Sequence, residues 1–186
     1  YTLGGASADF TDFTSLGFVL SNCGIDSHTV INVNPGFYAE RLVLTSVPGT
    51  ADTATLTING GDPALATISN GTFSTIYLNG TDYTTIKNLT IEATGTTDCY
   101  GVQLRDSAFM NTIDSCIIVM NDSATGMSDV VGVSASNTET SAFSEELNAF
   151  FTTVSNCTII GGEKGIHYEG DTGNGLRNVG NAAISN

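Results

Sequence analysis

The chain has no tryptophan, only 3 prolines and only five basic residues, Arg41, Lys87, Arg105, Lys164 and Arg177. Nineteen acidic residues oppose them, for a net charge of −14. With so little positive charge to neutralise phosphates, nucleic-acid binding is excluded, and an anionic membrane surface is disfavoured for the same reason. No run of about 18 apolar residues exists, so no segment reads as a membrane-spanning helix. The 4 cysteines include no Cys-x-x-Cys pair and no His/Cys ligand spacing, which argues against zinc. What remains is rich in Thr, Asn, Ser and Gly, with 21 glycines. The acidity fits solubility outside a cell better than it fits a cation store.

Within that polar background four six-residue stretches superimpose without gaps: Ile86 to Ile91, Ile113 to Ile118, Val154 to Ile159 and Val179 to Ile184. First, fourth and sixth positions are apolar or small each time, and the third is Asn88, Ser115, Asn156 or Asn181. A unit of about 25 residues, too short to bury its own apolar face, marks a solenoid. Upstream of each stretch lies another segment alternating with period two: Ile76-Tyr77-Leu78, Val102-Gln103-Leu104, Val133-Ser134-Ala135 and Ile166-His167-Tyr168. Gly101, Gly132 and Gly165 lead three of these and suit sharp corners. Each coil thus holds at least two short strands, stacked in parallel on the next coil at about 4.8 Å. The expected fold is all-β, a right-handed parallel β-helix, since parallel crossovers are almost always right-handed.

Residues 1–28 are expected to form a polar lead-in and a capping helix, with Phe13, Leu16, Leu20 and Cys23 on one face. Thr11 or Asp12 is placed to cap that helix, and Gly24 to end it. The β-helix then runs over 29–186. Thr29 to Val33, Arg41 to Leu44, Ala54 to Ile58 and Ala66 to Ser69 read as its early strands, and 138–151 as an insertion. Ser144 to Phe151 has a helix-start pattern and an apolar end. Ile117, Val119 and Ile160 point outward by the strand count, so the insertion is expected to cover that row as a lid. The start at Tyr1 suggests a mature product without its signal peptide, and the stop after Ile184 suggests further coils beyond 186.

For chemistry, the outward row Tyr77, Gln103, Ser134 and His167, flanked by Arg105 and Glu169, is the candidate binding face. His167 and Glu169 could act as base and orienter, although a solvated strand edge is the commoner meaning of such a pair. A carbohydrate-active site needs two carboxylates about one bond, or Asp-bound calcium with a basic residue, and no such pair is evident. No cofactor is expected; the weak calcium candidates are Asp122 and Asp129, which bracket a loop of no recognised pattern. Cys116 and Cys157 occupy equivalent inward positions and read as stacked core side chains. A disulfide between them, or between Cys23 and Cys99, stays open. The Asn column reads as structural, its side chains hydrogen-bonded along the axis at a left-handed bend. Five Asn-x-Ser/Thr sequons carry little weight in a chain of this composition, and two fall on the Asn column.

Ala8 to Phe13, the helix, and then Ile31 to Leu44 with Pro35-Gly36-Phe37-Tyr38-Ala39-Glu40 resemble the opening of the pectate-lyase-like superfamily of right-handed β-helices. The whole chain resembles secreted and surface β-helix proteins of Bacteroidota, which are often exported by type IX secretion. The resemblance implies a secreted or outer-surface location, and an adhesin or structural module as the function. The alternatives it leaves are a polysaccharide lyase or glycoside hydrolase, or a secreted filament or cargo subunit. Partners would be a glycan or cell-surface ligand, with secretion machinery or neighbouring subunits; no nucleic acid and no membrane insertion are implied. It also makes Asp-(Ser/Thr)-small sites at Thr53, Ser107 and Ser123 candidates for O-glycosylation. The superfamily's Asp-Asp, Asn-Thr-Asp, Gly-His-Gly and Arg-x-Lys enzyme signatures are absent. Paired Asp, or Lys/Arg clustered with Asp, in later coils would mark the enzyme.

Overall fold

The computed structural model describes residues 1–122, 129–142, 144, 149–168 and, as backbone alone, 183–185. Strand β1 (Thr2–Leu3) and helix α1 (Phe13–Cys23) precede the first coil, made of β2 (Thr29–Val33), β3 (Gly36–Tyr38) and β4 (Leu42–Thr45). The second coil is β5 (Leu56–Asn59), β6 (Ala66–Asn70) and β7 (Phe73–Asn79). The third is β8 (Thr84–Lys87), β9 (Thr90–Ala93) and β10 (Cys99–Arg105), followed by the short β11 (Ala108–Phe109). The fourth is β12 (Thr112–Asp114), β13 (Ile117–Met120) and β14 (Val130–Ala135), followed by β15 (Ala149–Phe150). The fifth is β16 (Thr153–Ser155), β17 (Thr158–Ile160) and β18 (Lys164–Tyr168), and β19 (Ala183–Ser185) pairs onto β16.

Every paired strand is parallel to its neighbour, so the coils stack into three long sheets. Sheet 1 runs β1-β2-β5-β8-β12-β16-β19, sheet 2 runs β3-β6-β9-β13-β17, and sheet 3 runs β4-β7-β10-β14-β18. The chain is a right-handed parallel β-helix, with one short helix among the described residues. Its core is a set of columns. Ile31, Ile58, Ile86, Ile113 and Val154 align down sheet 1; Ile68, Ile91, Ile118 and Ile159 align down sheet 2; Leu42, Ile76, Val102, Val133 and Ile166 align down sheet 3. Most of these side chains are fully buried, each burial contributing about 1.5–3 kcal/mol. Leu89 and Cys116 form the next column, with Cys157 half-buried below them; Ala182, expected to continue it, lies outside the described residues.

The corners follow from single residues. Asn88, Ser115 and Asn156 all take positive φ (55°, 53° and 52°), the left-handed bend anticipated for that column. Asn88 Nδ2 donates to Asn59 Oδ1 at 2.9 Å and Asn59 Nδ2 to Asn32 Oδ1 at 3.3 Å, so an amide ladder continues into the earlier coils. Gly101 and Gly132 serve another purpose. A Cβ on Gly132 would lie 2.5 Å from the Gly165 carbonyl oxygen and 2.6 Å from Ile159 Cγ2. These glycines let sheet 3 turn tightly against the sheet 2 side chains.

Helix α1 is capped as anticipated. Asp12 Oδ1 accepts from the Ser15 N–H at 2.7 Å, and Gly24 ends the helix at φ 69°. The helix buries Phe13, Leu16 and Leu20 and lies along β4, the edge strand of sheet 3. Ser21 Oγ accepts from the Thr45 N–H at 2.9 Å, satisfying a donor that the edge would leave open.

The insertion departs from expectation at its apolar end, while the helix-start pattern at Glu145 to Asn148 falls outside the described residues. Ala149–Phe150 is strand β15, paired in parallel with β11, and no helix occurs among the described residues of the insertion. Phe151 packs edge-on against Phe109, centroids 5.5 Å apart, and Phe109 in turn against Tyr83. That aromatic stack across coils holds the segment as a strand. The described residues 137–142 do not cover Ile117, Val119 and Ile160 either; Ile160 is 48% exposed. They lie over sheet 3, held there by Arg41, Gln103 and Asp129.

Candidate functional site

The outer face of sheet 3 is built by the alternation of its strands, which slips by one residue at Gly101 and Gly132. Tyr77, Gln103, Ser134 and His167 align in one row, and Asn79 pairs with Arg105 in the next. Tyr100 and Val131 align nearer the start of the strands. This outward row is the one expected to bind, and most of it is covered. Tyr77 is 7% exposed and Gln103 and Ser134 are 0% exposed, because residues 137–142 lie across them. Glu169, and with it the His167–Glu169 pairing, lies outside the described residues.

Two of the five basic residues converge on Tyr77. The Arg41 guanidinium carbon sits 4.9 Å from the Tyr77 ring centroid, a cation–π geometry, and 5.9 Å from that of Phe73. Arg105 Nη1 donates to the Tyr77 hydroxyl at 2.9 Å. Burial pushes the Tyr77 hydroxyl pKa up, against the opposing pull of Arg105. Arg41 Nη2 also donates to Ser74 Oγ at 2.8 Å and forms an ion pair with Glu139. Sequence reasoning missed Arg41 and Glu139. Arg41 precedes β4, one coil away from the row, and Glu139 arrives from the insertion.

Gln103 Nε2 donates to the Thr138 carbonyl at 2.7 Å and to Ser136 Oγ at 2.9 Å. Ala142 N–H donates to Asp129 Oδ2 at 3.1 Å, while Ala142 itself packs on Tyr100 and Val131. Asp129 is therefore engaged inside this face, and Asp122 is exposed. Among the described residues no group of three His, Cys, Asp or Glu could hold a metal ion.

Several buried polar atoms on this face have no hydrogen-bond partner: Arg41 Nε, Arg105 Nε, Gln103 Oε1, the Tyr100 hydroxyl, Asn79 Oδ1 and Thr138 Oγ1. Each such atom costs about 1–3 kcal/mol when buried alone. Two are obligate donors, two are amide acceptors and two are hydroxyls that do both. Burial drives the Tyr100 hydroxyl pKa upward, helped by the negative charges of Asp129 and Asp98. Asp98 and Asp129 precede the paired residues Cys99 and Val130, so they occupy neighbouring rungs. Burial, then the Asp129 charge, raises the Asp98 carboxyl pKa.

All four cysteines are free thiols: Cys23 exposed, Cys99 and Cys116 buried, Cys157 half-buried. Neither of the disulfides left open by the sequence is formed. The Cys116 thiol donates toward the Asp114 carbonyl at 3.4 Å, and its pKa is pushed well up, first by the adjacent Cys157 thiol and then by burial. Of the O-glycosylation candidates, Thr53 is exposed in a turn, Ser107 is half-buried in the turn after β10, and Ser123 lies outside the described residues.

No protein-family model matches the chain, and no curated protein matches it. Among solved structures it is similar to the pectin methylesterase PemA from Erwinia chrysanthemi, at 14% identity and a TM-score of 0.46, over 87% of this chain and 66% of that one. It is similar to a pectin methylesterase in complex with hexasaccharide VII at 13% identity and the same TM-score and coverage. The chain thus spans about two thirds of the length of each.

Proposed function

We propose that this β-helix is an extracellular or cell-surface glycan-binding module, an adhesin-like surface component, with the outer face of sheet 3 as its binding surface. The observation that carries this reading is the mixture of unpartnered atoms around Tyr77 and Gln103. A simple anion offers only acceptors and a metal ion takes only acceptors. Sugar hydroxyls offer both, so a polyhydroxylated ligand fits a site with free donors and free acceptors side by side. The Tyr77 ring adds a flat apolar body of the kind that packs against a sugar face. Among the described residues no helix is long and apolar enough to cross a membrane. Export through type IX secretion, and O-glycans at Thr53 and Ser107, belong to the same proposal; intact mass of material from its native host reads the latter directly.

The experiment is a glycan array followed by titration calorimetry with the wild type and Gln103→Ala. Binding that weakens about tenfold or more in the variant supports the reading, as expected when a desolvated hydrogen-bonding group is removed. Absence of binding to every glycan ends it. One observation favours a second reading, a polysaccharide-cleaving enzyme: Asp98 and Asp129 on neighbouring rungs, with the Asp98 carboxyl raised, resemble the offset pair that acid–base chemistry uses. Turnover of any polysaccharide that is lost in Asp98→Asn would establish it.

A further inference from the structure

Residues 137–142 form a small hairpin. Thr138 and Ser141 make an antiparallel bridge, and Asn137 N–H donates to the Ser144 carbonyl at 3.1 Å, closing the base. The hairpin is held to sheet 3 at its tip by the Glu139–Arg41 ion pair, at Thr138 by Gln103 Nε2 and at Ala142 by Asp129. Its fit over that face is incomplete. The Tyr100 hydroxyl, Gln103 Oε1 and Arg41 Nε beneath it are buried and unpartnered, and its own Thr138 Oγ1 is too. A segment that served only to complete the fold would gain by satisfying these atoms. The ion pair at the tip is partly open to water, with side chains 23% and 28% exposed, which makes it a weak fastening.

We propose that residues 137–142 are an autoinhibitory strap: they occupy the glycan site, with the Glu139 carboxylate holding Arg41 as a resident substitute for ligand, and they lift off when ligand binds. This rests on reading the outer face of sheet 3 as a glycan site. Lifting the strap exposes Gln103, Ser134 and Tyr100 together and frees the Arg41 guanidinium from Glu139. A closed base between Asn137 and Ser144 lets the hairpin move as one piece without disturbing β14.

The test uses the full chain and Glu139→Gln, which removes the charge and keeps the shape. Amide hydrogen exchange at 137–142 is expected to quicken about tenfold in the variant, while amides of Ile86 and Ile113 in sheet 1 are unchanged. Affinity for at least one of three probes, the hexasaccharides of xylan, glucomannan and polygalacturonate, is expected to rise about tenfold as the cost of lifting the strap falls. Equal exchange at 137–142 in both proteins overturns the strap, whatever the probes do. Faster exchange with binding to no probe keeps the strap and removes the glycan reading, so the two failures are told apart. If Glu139→Gln lowers the stability of sheet 1 as well, Glu139→Asp, which shortens the reach and keeps the charge, gives the same readout.

Discussion

Gly132 sits where the backbones of neighbouring rungs and a core isoleucine close on one point. Gly132→Ala is expected to destabilise the fold by about 1–3 kcal/mol, the range for overpacking a filled core, because two of its new neighbours lie within 2.6 Å and one is backbone. A fall in urea midpoint at unchanged slope checks it. Gly61, at φ 74° but with open space around it, is the control; Gly61→Ala should cost only the strain of its backbone angle. The thiols give a second prediction at this scale. Alkylation of the native protein is expected to label Cys23, while Cys116 and Cys99 react only after unfolding: both are shielded, Cys116 is kept protonated by the adjacent Cys157 thiol and then by burial, and Cys99 by burial. Peptide mapping after a short iodoacetamide pulse reads the order.

At the scale of elements, helix α1 owes its start to one side chain. Asp12→Ala is expected to cost about 1 kcal/mol through loss of the cap to Ser15, measured as a drop in thermal midpoint. That helix, its cap and its glycine stop were all legible in the sequence, because each depends on residues within a few positions. The strand columns were legible for a related reason: a repeated unit shows the same side chain choice several times. The hairpin at 137–142 was not. Its fastening to Arg41 joins residues 98 apart, and neither residue belongs to the repeat. Ala149 and Phe150 carried an apolar pattern that fits a helix end, but pairing with β11 and the Phe109–Phe151 contact decided for a strand. Of the candidate face, the sequence showed which residues share a row (Tyr77, Gln103 and His167) and missed that most of the row is covered.

At the scale of the whole molecule, pH acts through groups spread along the stack. Asp114 accepts from Ser155 Oγ at 2.7 Å, Asn156 Nδ2 at 2.9 Å and Ser115 Oγ at 3.1 Å, and these bonds hold its carboxyl pKa below the usual range, the Ser155 bond most of all. A lowered carboxylate stabilises the fold above its ordinary pKa near 3.8 and loses that contribution as the pH falls through the lowered value. Thermal midpoints measured from pH 5 downward should therefore fall below pH 3.8 in the wild type and fall less in Asp114→Asn. At the other extreme, burial raises the Tyr168 hydroxyl pKa to about 12. The unfolded chain releases that proton first, near pH 10, so stability should decline between pH 10 and 12, and Tyr168→Phe should flatten the decline.

Rungs of a solenoid ordinarily exchange energy only with the rung above and the rung below, so damage at one end stays there. Arg41 belongs to the first coil and Glu139 follows the fourth, and their ion pair skips the rungs between. The hairpin is thus a lengthwise clasp as well as a cover. Whatever unfastens it removes that one long-range tie and leaves the contacts between adjacent coils in place.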